Sequence, residues 1–190
     1  MNRLLIVGAS VRAAIQSARR AGWTQLYGVD QFNDSDLLLD CDARRIESGY
    51  AALPEILTRL NVDGWMYTGA LENHPGIVQS ASQVKPLWGN DATILRACRD
   101  PWQLTSVLDE CGIPTAEIRT DVSKTTNGDQ WLRKPLRSAG GFGIERLDAA
   151  VDSRSKDHYF QRQVLGSPQA AVFVGNGQRC ELLGVTRQWI

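Results

Sequence analysis

The alternation of short apolar runs with amphipathic stretches over the first ninety residues restricts the fold more than any other feature. Leu4-Leu-Ile-Val7 is too short for a helix and apolar at every position, which suits a parallel strand covered on both faces. Gly8-Ala-Ser10 follows as a turn, with Ser10 a candidate helix cap. Val11, Ala14, Ile15, Ala18 and Ala21 then recur at helical spacing, Arg12, Arg19 and Arg20 take the other side, and Gly22 closes the helix. Further strands are expected at Leu26–Val29, ending at Asp30, at Gly64–Tyr67 and at Pro86–Trp88. Between them come an apolar stretch at Leu37–Leu39, a helix over about Ala51–Leu60 with Pro54 in its first turn, and a short helix over Gly76–Ser82. This order predicts a Rossmann-like α/β domain over residues 1–90, a parallel sheet with helices on both faces.

The texture then changes. Asp91–Cys98 and Pro101–Cys111 read as two consecutive helices stopped by Gly112-Ile-Pro114, forming a helical connector over 91–114. Residues 115–190 offer short strands at Thr115–Arg119, Trp131–Pro135, Tyr159–Val164, Ala170–Val174 and Glu181–Thr186. Turn signals stand at Asn127-Gly128 and Gly175-Asn-Gly177, the second joining a hairpin. The expected second unit is therefore α+β with antiparallel strands.

Composition excludes several functions. Lys plus Arg and Asp plus Glu are 21 each, so the formal net charge is zero, and no block of like charge occurs. Nucleic acid and membrane are poor partners for such a chain. Its apolar runs are far too short to span a bilayer, and the N-terminus lacks a signal-peptide core, so the cytoplasm is the default compartment. Cys41, Cys98, Cys111 and Cys180 are far apart, and His74 and His158 are the two histidines. Zinc and disulfide scaffolds are thereby disfavoured, and all four cysteines read as structural thiols.

Chemistry concentrates in Trp131-Leu-Arg-Lys-Pro-Leu-Arg-Ser-Ala-Gly-Gly-Phe-Gly-Ile144. A strand delivers Lys134, and a loop with Ser138, Ala139, Gly140, Gly141 and Gly143 turns back toward a second strand at Ile144. Glycines let backbone N–H groups approach an anion closely, and lysine adds a compact positive charge, a combination suited to polyphosphate. It is not a Walker loop, because Lys134 precedes the glycines, nor a dinucleotide fingerprint, because it reads strand–loop–strand. A glycine-rich hairpin with an incidental lysine would look the same.

The connector ending in Gly112-Ile-Pro114, this lysine and glycine loop, and Tyr159-Phe-Gln-Arg-Gln-Val-Leu-Gly166 together resemble the ATP-grasp superfamily of ATP-dependent ligases. Gly69-Ala-Leu-Glu-Asn73 and Pro86-Leu-Trp-Gly89 add to the likeness, being similar to motifs of biotin carboxylases and carbamoyl-phosphate synthases. The resemblance implies that Lys134 contacts the α- and β-phosphates of ATP and that Ser138, Ala139, Gly140, Gly141 and Gly143 form a mobile lid. Gln161, Arg162, Gln163 and Val164 would line the adenine, with Gln161 replacing the family's usual glutamate. Pro101 stands where many members carry a second ATP lysine, and Arg99 is the neighbouring cation. The reaction implied is ATP-driven formation of an acyl phosphate from a carboxylate, which an amine or similar nucleophile then attacks. Small-molecule carboxylate and amine substrates are the implied partners, and a homodimer is allowed. Magnesium is implied too, with ligands on strands beyond residue 190, so the apolar ending Glu181–Ile190 reads as a truncated chain. No metal ligand or catalytic residue is assigned within it.

Two other readings stand beside this one. A non-catalytic fragment that binds nucleotide or a partner fits the same motifs without the magnesium segment. A dinucleotide-binding module is suggested by Gly8 and Asp30, but one fingerprint glycine is too few and a tight strand–helix turn is the simpler reading. Gly8, Ser10 and Arg12 are instead candidates to contact the acceptor substrate. His74, before Pro75, reads as a structural loop histidine, and the six tryptophans as packing residues.

Overall fold

A computed structural model describes residues 3–47, 49–122, 130–147 and 156–189. The first sheet contains β1 (Arg3–Gly8), β2 (Gln25–Asp30), β3 (Asp42–Arg45) and β4 (Gly64–Tyr67), ordered β3-β2-β1-β4 and parallel throughout. Strand β1 is central, and its alternate residues feed two separate cores. Leu4 and Ile6 face α1 (Arg12–Arg20) and α2 (Leu37–Asp40), packing with Val11, Ile15, Leu26, Leu37 and Cys41. Leu5 and Val7 face the other way, toward α3 (Leu53–Arg59), α4 (Pro75–Ser82) and α5 (Ala92–Arg99), packing with Leu57, Trp65 and Val78. An apolar strand without polar alternation thus finds two covered faces, as a parallel sheet requires.

Several expectations are corrected. Ser10 does not cap α1. The N-cap is Val11, whose amide is held by Asp30 Oδ2 at 2.7 Å. Asp30 is fully buried, and its Oδ1 accepts from Phe32 N and Asn33 N at 2.7 and 2.6 Å, so its carboxylate fastens the β2 exit and is not presented to a ribose. Pro86–Trp88 is not a strand but a single parallel bridge, Trp65 to Leu87, because Pro86 has no N–H for a ladder. Strand β3, with burial alternating weakly among charged residues, escaped the sequence reading. Trp65 and Trp131 are buried, whereas Trp88 is 41% exposed and lies over Gly64, where a Cβ would meet its ring at 2.5 Å.

Two helices follow, α5 capped by Asp91 and α6 (Pro101–Glu110) by Asp100, each carboxylate accepting two backbone amides. Gly112 ends α6 at φ +69°, its N–H bonding Asp109 O while Ile113 N reaches back to Leu108 O. Beyond it lies an antiparallel sheet ordered β5-β8-β6-β7, made of β5 (Ile118–Arg119), β6 (Trp131–Pro135), β7 (Glu145–Arg146) and β8 (His158–Arg162). A hairpin of β9 (Gln169–Gly175) and β10 (Cys180–Arg187) follows, turning at Asn176, with Val172, Phe173, Leu182 and Val185 exposed. The Asn127-Gly128 signal lies outside the described residues. Of the four cysteines the structure buries Cys41 alone, so the other three are surface thiols rather than packing groups.

Candidate functional site

Strand β6 carries Lys134 out of the antiparallel sheet. In the β6–β8 register Lys134 faces Tyr159 and Leu132 faces Gln161, so Lys134 and Gln161 are diagonal neighbours on one face. Lys134 Nζ donates to Gln161 Oε1 at 2.7 Å and stands 5.6 Å from the centre of the Tyr159 ring. The Gln161 side chain therefore has a definite part, as a neutral acceptor that holds the ammonium without neutralising it. Trp102, at the start of α6, meets the same tyrosine edge-on at 6.1 Å.

After β6 the chain makes a tight turn. Gly140, Gly141 and Gly143 have φ of +63°, +78° and +75°, a left-handed run that side chains resist. Ser138 Oγ donates to Phe142 O at 2.5 Å and Phe142 N to Ala139 O at 3.2 Å, closing the turn on itself. At Gly140 and Gly141 a Cβ would meet no atom within 4 Å, so open space adjoins the backbone there. Lys134, Ser138, Ala139, Gly140, Gly141 and Tyr159 line a cavity of about 250 Å³ under this turn. Gly143 packs instead against Pro135, where an added Cβ would lie 3.1 Å from Cγ.

Arg99, the last residue of α5, joins the two layers at this cavity. Its Nη2 donates to Asn73 Oδ1 at 2.7 Å and to Ser138 O at 2.6 Å, tying the 71–73 turn of the α/β layer to the root of the glycine turn. Arg99 and Pro101 also line the cavity, so a guanidinium stands beside the Pro101 position. The Asn73–Arg99–Ser138 link has no local sequence signal.

The remaining candidates lie elsewhere. Arg162 N and Gln163 N are bonded to Glu117 O and Gln130 O, both at 2.8 Å, and Val164 is 74% exposed. Gly8 packs against Thr68, whose hydroxyl occupies the place of a Cβ, and Arg12 pairs with Asp36 at 3.3 Å. Gly8, Ser10 and Arg12 line neither this cavity nor the neighbouring one beside Arg99. His74 stacks edge-on with Tyr50 at 5.8 Å. Burial pushes the Tyr50 phenol up to about 12, with Glu72 adding to the shift, so it stays protonated at neutral pH. No group of three His, Cys, Asp or Glu side chains among the described residues could hold a metal ion.

No family profile matches the chain, and no curated protein matches its sequence. Solved structures do match. N5-carboxyaminoimidazole ribonucleotide synthetase in its ADP complex superposes with a TM-score of 0.72 at 14% identity, covering 100% of this chain and 54% of that one. This chain has the fold of the amino-terminal part of the ATP-grasp enzymes. An L-amino acid ligase from Bacillus licheniformis matches at 0.69 and 17% identity over 98% of this chain and 50% of its own. The biotin carboxylase subunit of pyruvate carboxylase matches at 0.61 and 14%, again over 98% and 50%. The chain thus spans about half the length of these solved structures.

Proposed function

We propose that the chain binds ATP in the cavity beneath the glycine turn and belongs to a ligase that activates a carboxylate by phosphorylation. The observation that carries this reading is Lys134 held at the cavity wall by Gln161, opposite a turn whose left-handed glycines leave their backbone open to an anion. Lys134 would contact the α- and β-phosphates, Ser138 to Gly143 would cover them, and Arg99 would add the second positive charge. With Arg162 N and Gln163 N already bonded, adenine recognition falls to other backbone groups of Gln163 and Val164 and to the Gln161 side of Lys134. The ADP complex of the synthetase and the ligase among the matched structures support this assignment.

In the proposed reaction a carboxylate oxygen attacks the γ-phosphorus and ADP leaves. An amine then attacks the acyl carbon and phosphate leaves. Fixed positive charge on Lys134 and Arg99 would stabilise charge developing on the transferred group. No group of three His, Cys, Asp or Glu side chains that could hold a metal ion occurs among the described residues, and no step is assigned to magnesium. We divide the chain accordingly into an α/β unit over 1–90, a connector over 91–114 and a nucleotide-binding unit over 115–190, in a cytoplasmic protein. Nucleotide binding without turnover is the second reading of the same lysine and glycine cavity.

Titration calorimetry with ATP on the wild type and Lys134→Ala tests the site. A loss of tenfold or more in affinity is expected, and equal affinity would remove the assignment. Phosphate release in the presence of magnesium, ATP and candidate carboxylates separates turnover from binding alone.

A further inference from the structure

A second cavity, also about 250 Å³, adjoins the first across Arg99. Three guanidinium groups border it, from Arg96, Arg99 and Arg137, against two carboxylates, Glu72 and Asp100. Asp100 is committed to capping α6, accepting Trp102 N and Gln103 N at 2.9 and 3.1 Å. Arg96 uses its Nη2 to donate to Gln79 Oε1 at 2.8 Å, and Arg99 uses its own Nη2 toward Asn73 and Ser138. Each guanidinium keeps its other donors free of hydrogen bonds to described residues, and Arg137 makes no hydrogen bond or ion pair with a described residue. Asn73 adds one amide to the wall, and Pro75, Leu95, Pro101, Trp102 and Leu136 make the remainder apolar. Planar guanidinium forks bind carboxylates in two-pronged fashion, and an indole face accepts an apolar body, so the two halves of the wall ask for one molecule with both parts.

We propose that this cavity binds a small organic carboxylate carrying an apolar body, with Arg96 and Arg137 on the carboxylate and Trp102 against the body. Arg99, Pro101 and Leu136 line both cavities, so the ligand lies next to the proposed nucleotide site. Its identification as the carboxylate to be phosphorylated rests on the ligase reading, whereas binding itself does not.

The test is a nuclear magnetic resonance titration of the full chain, labelled with ¹⁵N, using benzoate, its neutral isostere benzamide and inorganic phosphate. Saturable shifts of the Trp102 indole and arginine Nε signals are expected with benzoate, at an affinity at least tenfold above that for benzamide or phosphate. The charge-retaining changes Arg96→Lys and Arg137→Lys should weaken benzoate several-fold, and the double variant Arg96→Gln/Arg137→Gln should abolish saturation while its backbone spectrum remains folded. Lys134→Met should leave benzoate affinity within twofold. Benzamide or phosphate binding as well as benzoate, no saturable shift, or full benzoate affinity in the folded double variant would each overturn the site. Loss of ATP binding with benzoate binding retained would count against the nucleotide reading alone.

Discussion

Lys134 Nζ donates to Gln161 Oε1 at 2.7 Å, diagonally across the β6–β8 ladder. The amide oxygen fixes the ammonium near the glycine turn while leaving its charge uncompensated. Gln161→Ala removes that acceptor and lets Lys134 swing; a hydrogen bond from an ionised donor contributes about 1.5–3 kcal/mol, part of which water restores at this half-buried position. ATP affinity should fall about threefold to tenfold in calorimetry, less than for Lys134→Ala, and the combined variant should be no weaker than Lys134→Ala.

Arg99 ties Asn73 to Ser138 through one nitrogen, at 2.7 and 2.6 Å. Arg99→Gln is expected to free the glycine turn from the α/β layer while leaving the two cores on β1 untouched. Limited proteolysis should then cut near residues 138–143 several times faster, with the melting temperature changed by only a few degrees. Unchanged cleavage would show that the turn holds itself.

Asp30 accepts three backbone amides, from Val11, Phe32 and Asn33, in a fully buried position. Asp30→Ala strands all three donors, each at about 1–3 kcal/mol. Urea unfolding should show a loss on the order of 3 kcal/mol or more, and Asp30→Asn a smaller one, because its amide oxygen can still accept.

Alkali should destabilise the fold. Burial pushes the Cys41 thiol from 9.0 up to about 11, and burial likewise takes the Tyr50 and Tyr67 phenols from 10.0 to about 12. All three are largely neutral in both states below about pH 8. As pH rises from 9 to 12 the unfolded chain loses protons that the folded chain keeps, so stability falls through that window. Cys41 alone contributes on the order of 2 kcal/mol to the change. Cys41→Ser should flatten its lower part in denaturant titrations at stepped pH. At pH 8, iodoacetamide should label Cys98, Cys111 and Cys180 in the native protein and Cys41 only after unfolding.

Legibility followed the range of the interactions. Leu4–Val7 and the helix behind it announced themselves because apolar periodicity acts over a few residues. Trp131–Pro135 was read with its observed bounds, and the left-handed turn followed from its three glycines. Strand β3 was hidden because Asp42-Ala-Arg-Arg45 has little apolar pattern and pairs only along one side, with β2. Pro86–Trp88 misled for the opposite reason, apolar residues at the end of a sheet where proline allows one bridge.

The sequence by itself determined most of the order of elements and the local pattern of a strand-borne lysine followed by glycines. The tertiary structure alone decided what surrounds them: Gln161 under Lys134, Arg99 between Asn73 and Ser138, Asp30 turned inward to the chain's own amides, and a second arginine-lined cavity beside the first. These contacts join residues 27, 26, 39 and 19 positions apart. Local patterns fix backbone conformation through neighbours in sequence, whereas the charge and hydrogen bonding of a site are set by which distant side chains the packed layers bring within reach.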